Sequence, residues 1–307
     1  MNISPDYLIE RRRAKKSLAK WKIFALLLIT LLIFAVVGKN KVDSNYLEVP
    51  PLSDYIARAM IEEIILEDHK RELRLEQIAS DDKVKALIIY INSPGGSVVG
   101  SEKLYNSFRR VAAKKPVVVV MGSLATSGGY MAAVGADYII AHNGTITGSI
   151  GVILQSAEIT KLAETLGIKF TNFKSGTLKA TPNFVEEVTP EVASAIMANI
   201  YDVYDYFISL VAKRRNLDID YVEKIADGRL YSGRQALELK LVDAVGDETE
   251  AVKWLQEVKG VNKGLKIVDV KLRPKSRLLD MLLEDMETIF PSIIMNKIQG
   301  LGAIFYQ

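Results

Sequence analysis

Ser127 lies in the run Ser123-Leu124-Ala125-Thr126-Ser127-Gly128-Gly129-Tyr130, directly after the apolar stretch Val117–Met121. A serine at a strand-to-helix turn with glycines behind it holds its hydroxyl clear of crowding, and the Gly128 N–H faces the same space. This is the geometry an acyl-transfer nucleophile needs. Two more glycine-rich turns end apolar runs: Asn92-Ser93-Pro94-Gly95-Gly96-Ser97 after ALIIYIN, and Gly144-Thr145-Ile146-Thr147-Gly148-Ser149-Ile150-Gly151 after YIIAH. Small residues let backbone N–H groups approach a ligand closely, and two such groups aimed at one point make an oxyanion hole. The chain has neither a G-x-x-x-x-G-K-[ST] run nor a G-x-G-x-x-G fingerprint, which sets nucleotide hydrolysis and dinucleotide binding aside.

A serine hydroxyl is barely acidic and needs a base. There are no cysteines and only two histidines, so thiol nucleophiles, Cys-ligated metal sites and His-rich metal sites are excluded. No metal or other cofactor is expected. His142 precedes Asn143-Gly144 in a turn, and His69 sits in the charged stretch Glu67-Asp68-His69-Lys70-Arg71; both read as exposed turn or surface residues. The remaining bases are lysines. Lys179, in Gly176-Thr177-Leu178-Lys179-Ala180-Thr181-Pro182, lies among small uncharged residues with no carboxylate until Glu186, and Lys174 competes in the same loop. A lysine with its ordinary pKa of about 10.4 is protonated at neutral pH, so the role demands surroundings that disfavour the ammonium form. Spacing alone leaves Lys179 and Lys174 open.

The elements that position these loops alternate β-branched runs with amphipathic ones. Ala57–Leu66, Ala86–Asn92, Val117–Met121, Tyr138–Ala141, Gly151–Leu154 and Lys169–Phe173 read as strands; Val99–Ala112 and Glu158–Leu166 read as helices. Short continuous apolar strands separated by helices predict parallel βαβ units covered on both faces. A long helix starts at Thr189-Pro190-Glu191, with Thr as cap and Pro at the first helical position. Its stripe Val192, Ile196, Ile200, Val203, Phe207 and Val211 reads as core or subunit contact. Asp227, Asp243 and Asp247 read as turn and cap residues.

The amino-terminal end has a different character. Seven basic residues against two acidic ones put the first 22 residues at +5, whereas the whole chain is +3, so no nucleic-acid footprint is supported. Ile23–Gly38 is uncharged and reads as a single membrane anchor, since Gly38-Lys39-Asn40-Lys41 offers no signal-peptide cleavage site. The excess of positive charge before it predicts a cytoplasmic amino terminus and an extracytoplasmic domain, periplasmic in a Gram-negative cell. The expected organisation is a basic segment 1–22, an anchor 23–38, a tether 39–54 containing Pro50-Pro51, a domain 55–260, and an apolar tail 261–307 that docks or lies near the membrane.

The ordered motifs SPGGSV, SLATSGGYMAA, GTITGSIGVI, FKSGTLKATP and DGRLYSGRQALELKLVDAVGD resemble the bacterial signal peptide peptidase A family of serine peptidases, in its short single-domain form. The likeness spans about residues 55 to 255, most of the chain. It implies a ClpP/crotonase-like α/β fold with a mostly parallel sheet, and a Ser/Lys dyad in place of a triad. Carried over by motif, Ser127 is the nucleophile and Lys179 the general base. Ser149 positions that lysine, and Gly128 and Gly96 supply the oxyanion-hole N–H groups. The resemblance further implies a homo-oligomeric ring in which the serine and lysine of one site come from adjacent protomers. It also implies hydrophobic peptide substrates such as cleaved signal peptides. Leu178 stands where family members often carry a tyrosine, and Ala180-Thr181-Pro182-Asn183 replaces a more acidic continuation, departures that bear on substrate preference. Two other functions were weighed. A crotonase-like acyl-CoA enzyme would place a carboxylate in the glycine loops, and neither SPGGSV nor TSGGY carries one; a non-catalytic membrane scaffold of the same fold would lack Ser127 or Lys179.

Overall fold

The computed structural model describes residues 53–272, together with Trp21, Lys22 and Leu27, which are helical. Those three residues apart, the expected basic segment and anchor, with most of the tether and the tail beyond residue 272, lie outside the described residues. Among the described residues no helix is long and apolar enough to cross a membrane. The chain divides into two units, Met1–Pro50 and Pro51–Gln307, and every candidate site residue belongs to the second.

That unit is built in the order β1 (Tyr55–Ile65), α1 (His69–Ser80), β2 (Val84–Gly96), α2 (Val98–Ala112), β3 (Val117–Thr126), α3 (Gly128–Ala133), β4 (Tyr138–Ala141) and β5 (Ile146–Gly148). It continues with α4 (Thr160–Thr165), α5 (Pro190–Arg215), α6 (Ile219–Ile225), β6 (Leu230–Ser232), α7 (Gly233–Glu238), β7 (Ala244–Val245), α8 (Glu248–Glu257) and β8 (Lys266–Asp269). The eight strands form one sheet with the path β6-β5-β3-β2-β1-β8, and β4 joins β3 to β7. Every pairing is parallel except β5 with β6. This is the α/β architecture with a mostly parallel sheet that the alternating runs predict.

The continuous apolar text of the central strands follows from burial on both faces. Val117, Val119 and Met121 of β3 join one core cluster with Leu104 and Phe108 of α2, Tyr130 of α3 and Phe207 and Val211 of α5. Val118 and Val120 point the other way, into a second cluster with Ala251 and Leu255 of α8. Each such side chain removed from water contributes about 1.5–3 kcal/mol, which makes β3 a rigid mount for whatever stands at its end. Ser97 caps α2 by accepting from Gly100 N, and Thr189 caps α5 with Pro190 behind it.

Three features depart from the pattern read in the sequence. Gly151–Leu154 and Lys169–Phe173 are irregular, not strands. No described strand offers them a ladder to join, and their apolar side chains stand in solvent, with Ile153 75% and Phe173 95% exposed. The third glycine turn instead contributes a strand of its own, β5, clamped between β3 and β6. Finally, β8 adds to the outer edge of β1 beyond residue 260, where Arg58 binds Asp269 at 2.5 and 2.8 Å, so the sheet runs past the expected domain boundary. Along α5, Val192, Phe207 and Val211 are buried as the stripe predicts, while Ile196, Ile200 and Val203 are only half-buried.

Candidate active site

Strand β3 stops at Thr126 and helix α3 starts at Gly128, so the reversal falls on one residue, Ser127, with φ 51 and ψ −121. A non-glycine residue there carries about 1–3 kcal/mol of backbone strain, and it persists because the neighbours fix it. Ser127 N donates to Gly148 O at 2.9 Å, and Ser127 O accepts from Met131 N at 2.9 Å. The serine is half-buried and its hydroxyl makes no capping bond to α3. The strain presents the Oγ at the strand's end instead of spending it on the helix.

Ser149 comes to the same place through the sheet. Thr126 is in register with Gly148, which puts Ser149 abreast of Ser127. Ser149 also has positive φ, 48, and its N–H donates to Arg229 O at 2.8 Å, so β6 supports the turn from behind.

The SPGG turn closes on the serine from the other side. A Cβ built on Gly128 would stand 2.0 Å from Ser101 Oγ and 3.1 Å from the Gly96 amide nitrogen. A Cβ on Gly96 would meet Ile65 O at 1.8 Å. Both positions therefore require glycine for close approach, and the approach sets the Gly96 and Gly128 amides side by side next to Ser127.

Behind the site, α3 is held firmly. The phenol of Tyr130 is fully buried and donates to Leu241 O at 2.8 Å; burial pushes its pKa up. Arg214 donates to Val134 O at 2.9 Å and Ala136 O at 2.8 Å, satisfying carbonyls just past the helix. Arg215 binds Asp243 through two bonds of 2.9 and 2.7 Å; burial opposes the guanidinium charge, and the Asp243 bonds together with the Tyr130 and Asp243 charges outweigh it, so its pKa is raised. Asp243 also accepts from Ile139 N at 2.8 Å, Asp247 caps α8, and Asp227 pairs with Arg229. All three aspartates thus hold turns and caps, as their setting in the sequence suggests.

Lys179 makes no hydrogen bond to Ser127. It lies exposed in a turn where its N–H donates to Gly176 O at 3.1 Å, and among the described residues its ammonium has no hydrogen bond or ion pair. Lys174 is committed elsewhere. It pairs with Glu186, which also accepts from Asn172 and Asn183 at 2.8 Å each. The Lys174 bond first, then the two amides, hold the Glu186 carboxyl down at about 2. The carboxylate nearest Lys179 in sequence is therefore occupied by its competitor. Lys174→Gln is expected to leave turnover within about threefold of wild type, since a paired lysine is no base; peptide hydrolysis by the variant checks this, and a dead variant would reinstate Lys174.

The histidines keep their plain reading. His142 is exposed at the end of β4, its N–H donating to Thr145 Oγ1 at 2.9 Å, in a cleft of about 320 Å³ with Asp247 and Glu250. His69 is exposed at the start of α1.

A strained serine heading a helix, beside two close-set glycine amides, suits a serine hydrolase. Residues 109–262 match the family model described as Peptidase family S49. The chain is 40% identical over 206 residues to a protein of Synechocystis sp. named as a candidate protease, covering 67% of this chain and 74% of that one. It is 32% identical over 238 residues to a protein of Enterococcus faecium named as a candidate signal peptide peptidase, covering 72% of this chain and 69% of that one. In structure it is similar to a ClpP1 mutant from Listeria monocytogenes at 15% identity and TM-score 0.43, covering 64% of this chain and 94% of that chain. The chain belongs to peptidase family S49 and is a serine protease.

Proposed function

We propose that the protein is a membrane-anchored endopeptidase of ClpP/crotonase-like fold that hydrolyses hydrophobic peptides, such as cleaved signal peptides, through Ser127 and Lys179. The observation that carries it is the backbone of Ser127, strained at φ 51 between β3 and α3 with its hydroxyl unspent on the helix. Ser127 Oγ attacks the scissile carbonyl, and its proton passes to Lys179 Nζ and then to the leaving amine. The oxyanion is held by the Gly128 and Gly96 N–H groups. Ser149, abreast of Ser127, orients the lysine.

The lysine is supplied by a neighbouring protomer. Support comes from the segment that bears it, whose apolar side chains Ile153, Leu154, Leu162, Leu166, Phe170 and Phe173 are exposed. Exposed apolar side chains concentrated in one segment are what a subunit interface covers. A ring of copies would bury it and bring Lys179 of one chain to Ser127 of the next. The acyl-CoA reading lacks an acid in either glycine turn, and a non-catalytic scaffold has no use for a strained, unspent serine hydroxyl.

The direct test is labelling of the purified full-length protein with a fluorophosphonate probe. Peptide mapping is expected to find the adduct on Ser127, and labelling elsewhere or nowhere would sink the assignment. For topology, the uncharged run 23–38 with its preceding basic cluster supports an extracytoplasmic domain. A reporter fused after Gln307 is expected to be active only in the extracytoplasmic compartment; mature protein beginning near Lys39 would defeat the anchor.

A further inference from the structure

We infer that Ser93 and Thr126 are positioning residues, two buried hydroxyls that lock the Pro94-Gly95-Gly96 turn against the Ser127 turn and so fix the Gly96 amide as an oxyanion donor. The inference rests on the assignment of Ser127, Gly128 and Gly96 proposed above.

Ser93 is 0% exposed, and its hydroxyl donates to Glu63 O at 2.5 Å while accepting from Gly95 N at 3.1 Å. The longer 3.3 Å approach of the same Oγ to Gly95 O leaves Glu63 O as the principal acceptor. Glu63, with φ 61, sits where the register steps from Glu62↔Asn92 to Ile64↔Gly95, so that this one residue of β1 opposes a bulge of two, Ser93 and Pro94, on β2. One hydroxyl therefore satisfies the carbonyl that the bulge turns out of the ladder and the amide of the first glycine in the turn. With its N–H taken by Ser93, Gly95 has none to offer a substrate. The next amide, Gly96, is the one set beside Gly128.

Thr126 works from the opposite side. It is 5% exposed, and its Oγ1 donates to Pro94 O at 3.0 Å. Being the residue immediately before the nucleophile, it joins the two catalytic turns by a single side chain. There is no slack between them. A Cβ built on Gly95 would stand 2.8 Å from Gly128 N and 3.0 Å from Ser127 Cβ, and Gly95 itself has φ +110. A turn packed this closely moves as a unit if a tether is cut, and an oxyanion donor displaced by a fraction of an ångström loses much of its effect.

The test uses the full-length enzyme and three variants: Ser93→Ala, Thr126→Val, which keeps the shape and loses the hydroxyl, and Thr126→Ser, which keeps the hydroxyl. Hydrolysis of an apolar fluorogenic peptide gives kcat and KM, and a peptide boronate, whose tetrahedral adduct needs the oxyanion hole, gives Ki. Ser93→Ala and Thr126→Val are expected to lose roughly tenfold to a hundredfold in kcat with KM within about twofold, and boronate Ki is expected to rise in the same ratio. Thr126→Ser is expected to stay near wild type. Ser93→Ala or Thr126→Val with undiminished kcat, a loss in either that falls on KM and not on kcat, or Thr126→Ser as impaired as Thr126→Val, would overturn the inference. Ser127→Ala run alongside separates the two levels. If Ser127→Ala is active the underlying site is wrong, whereas a dead Ser127→Ala beside a fully active Thr126→Val overturns the tethering alone.

Discussion

Ser127→Ala is expected to abolish peptide hydrolysis, a fall on the order of 10⁴-fold or more, and to leave folding intact. The two halves of the expectation have separate causes. The chemical half follows because no other group at the end of β3 has a nucleophilic oxygen in its place, and the remaining amides of Gly128 and Gly96 can only polarise a carbonyl. The structural half follows from what the serine does not do. Its side chain makes no bond to α3, and the positive φ is tolerated equally badly by serine and alanine, so the substitution adds no strain. The change in stability is expected to be within about 0.5 kcal/mol, as for a substitution that removes no buried partner. Thermal unfolding checks the second half and kcat/KM the first. Residual turnover above about 1% of wild type would remove Ser127 from the nucleophile role, because nucleophile losses in such enzymes are far larger. His142→Ala and His69→Ala are the paired controls, and both should retain near-wild-type turnover if no histidine completes a triad.

What could be read from the amino acids alone depended on whether a residue's partner was local. Val117–Met121 and Ala86–Asn92 declared themselves as buried parallel strands because every residue is apolar and mostly β-branched, and both faces are indeed covered. The serine turn was legible because two glycines behind a serine make sense only where the chain must bend sharply with little room. Ser93 and Thr126 were not legible as tethers, since serine and threonine are ordinary in such turns and their acceptors, Glu63 and Pro94, lie 30 and 32 residues away. Asp243 likewise depends on Arg215, 28 residues earlier. Gly151–Leu154 and Lys169–Phe173 differ from their strand-like text, although the helix expected between them is present as α4. Their apolar residues have strand-like composition, but a strand is a property of a pair, and no described strand is there to pair with them. The same missing partner leaves Lys179 in solvent. A sequence records that these side chains are apolar; it does not record what covers them.

That leads to the second large effect. Lys179→Ala and Lys179→Arg are both expected to be inactive, the first for want of a base and the second because a guanidinium stays charged and donates only. Mixed before assembly with inactive Ser127→Ala chains, Lys179→Ala chains are expected to recover activity. In a randomly mixed ring, the chance that a given interface pairs an intact serine with an intact lysine is about one in four, so recovery should approach about a quarter of wild type. Activity should depend on co-assembly, appearing when the chains are dissociated and reassembled together and not when finished oligomers are combined. The exposure of Phe173 and Ile153, in the stretch of chain before Lys179, is the physical reason to expect this. Burying them against a neighbour would offset the cost of association and, in the same step, would carry the Lys179 ammonium out of water toward that neighbour's serine. No recovery from well-mixed oligomers would assign both residues of a site to one chain.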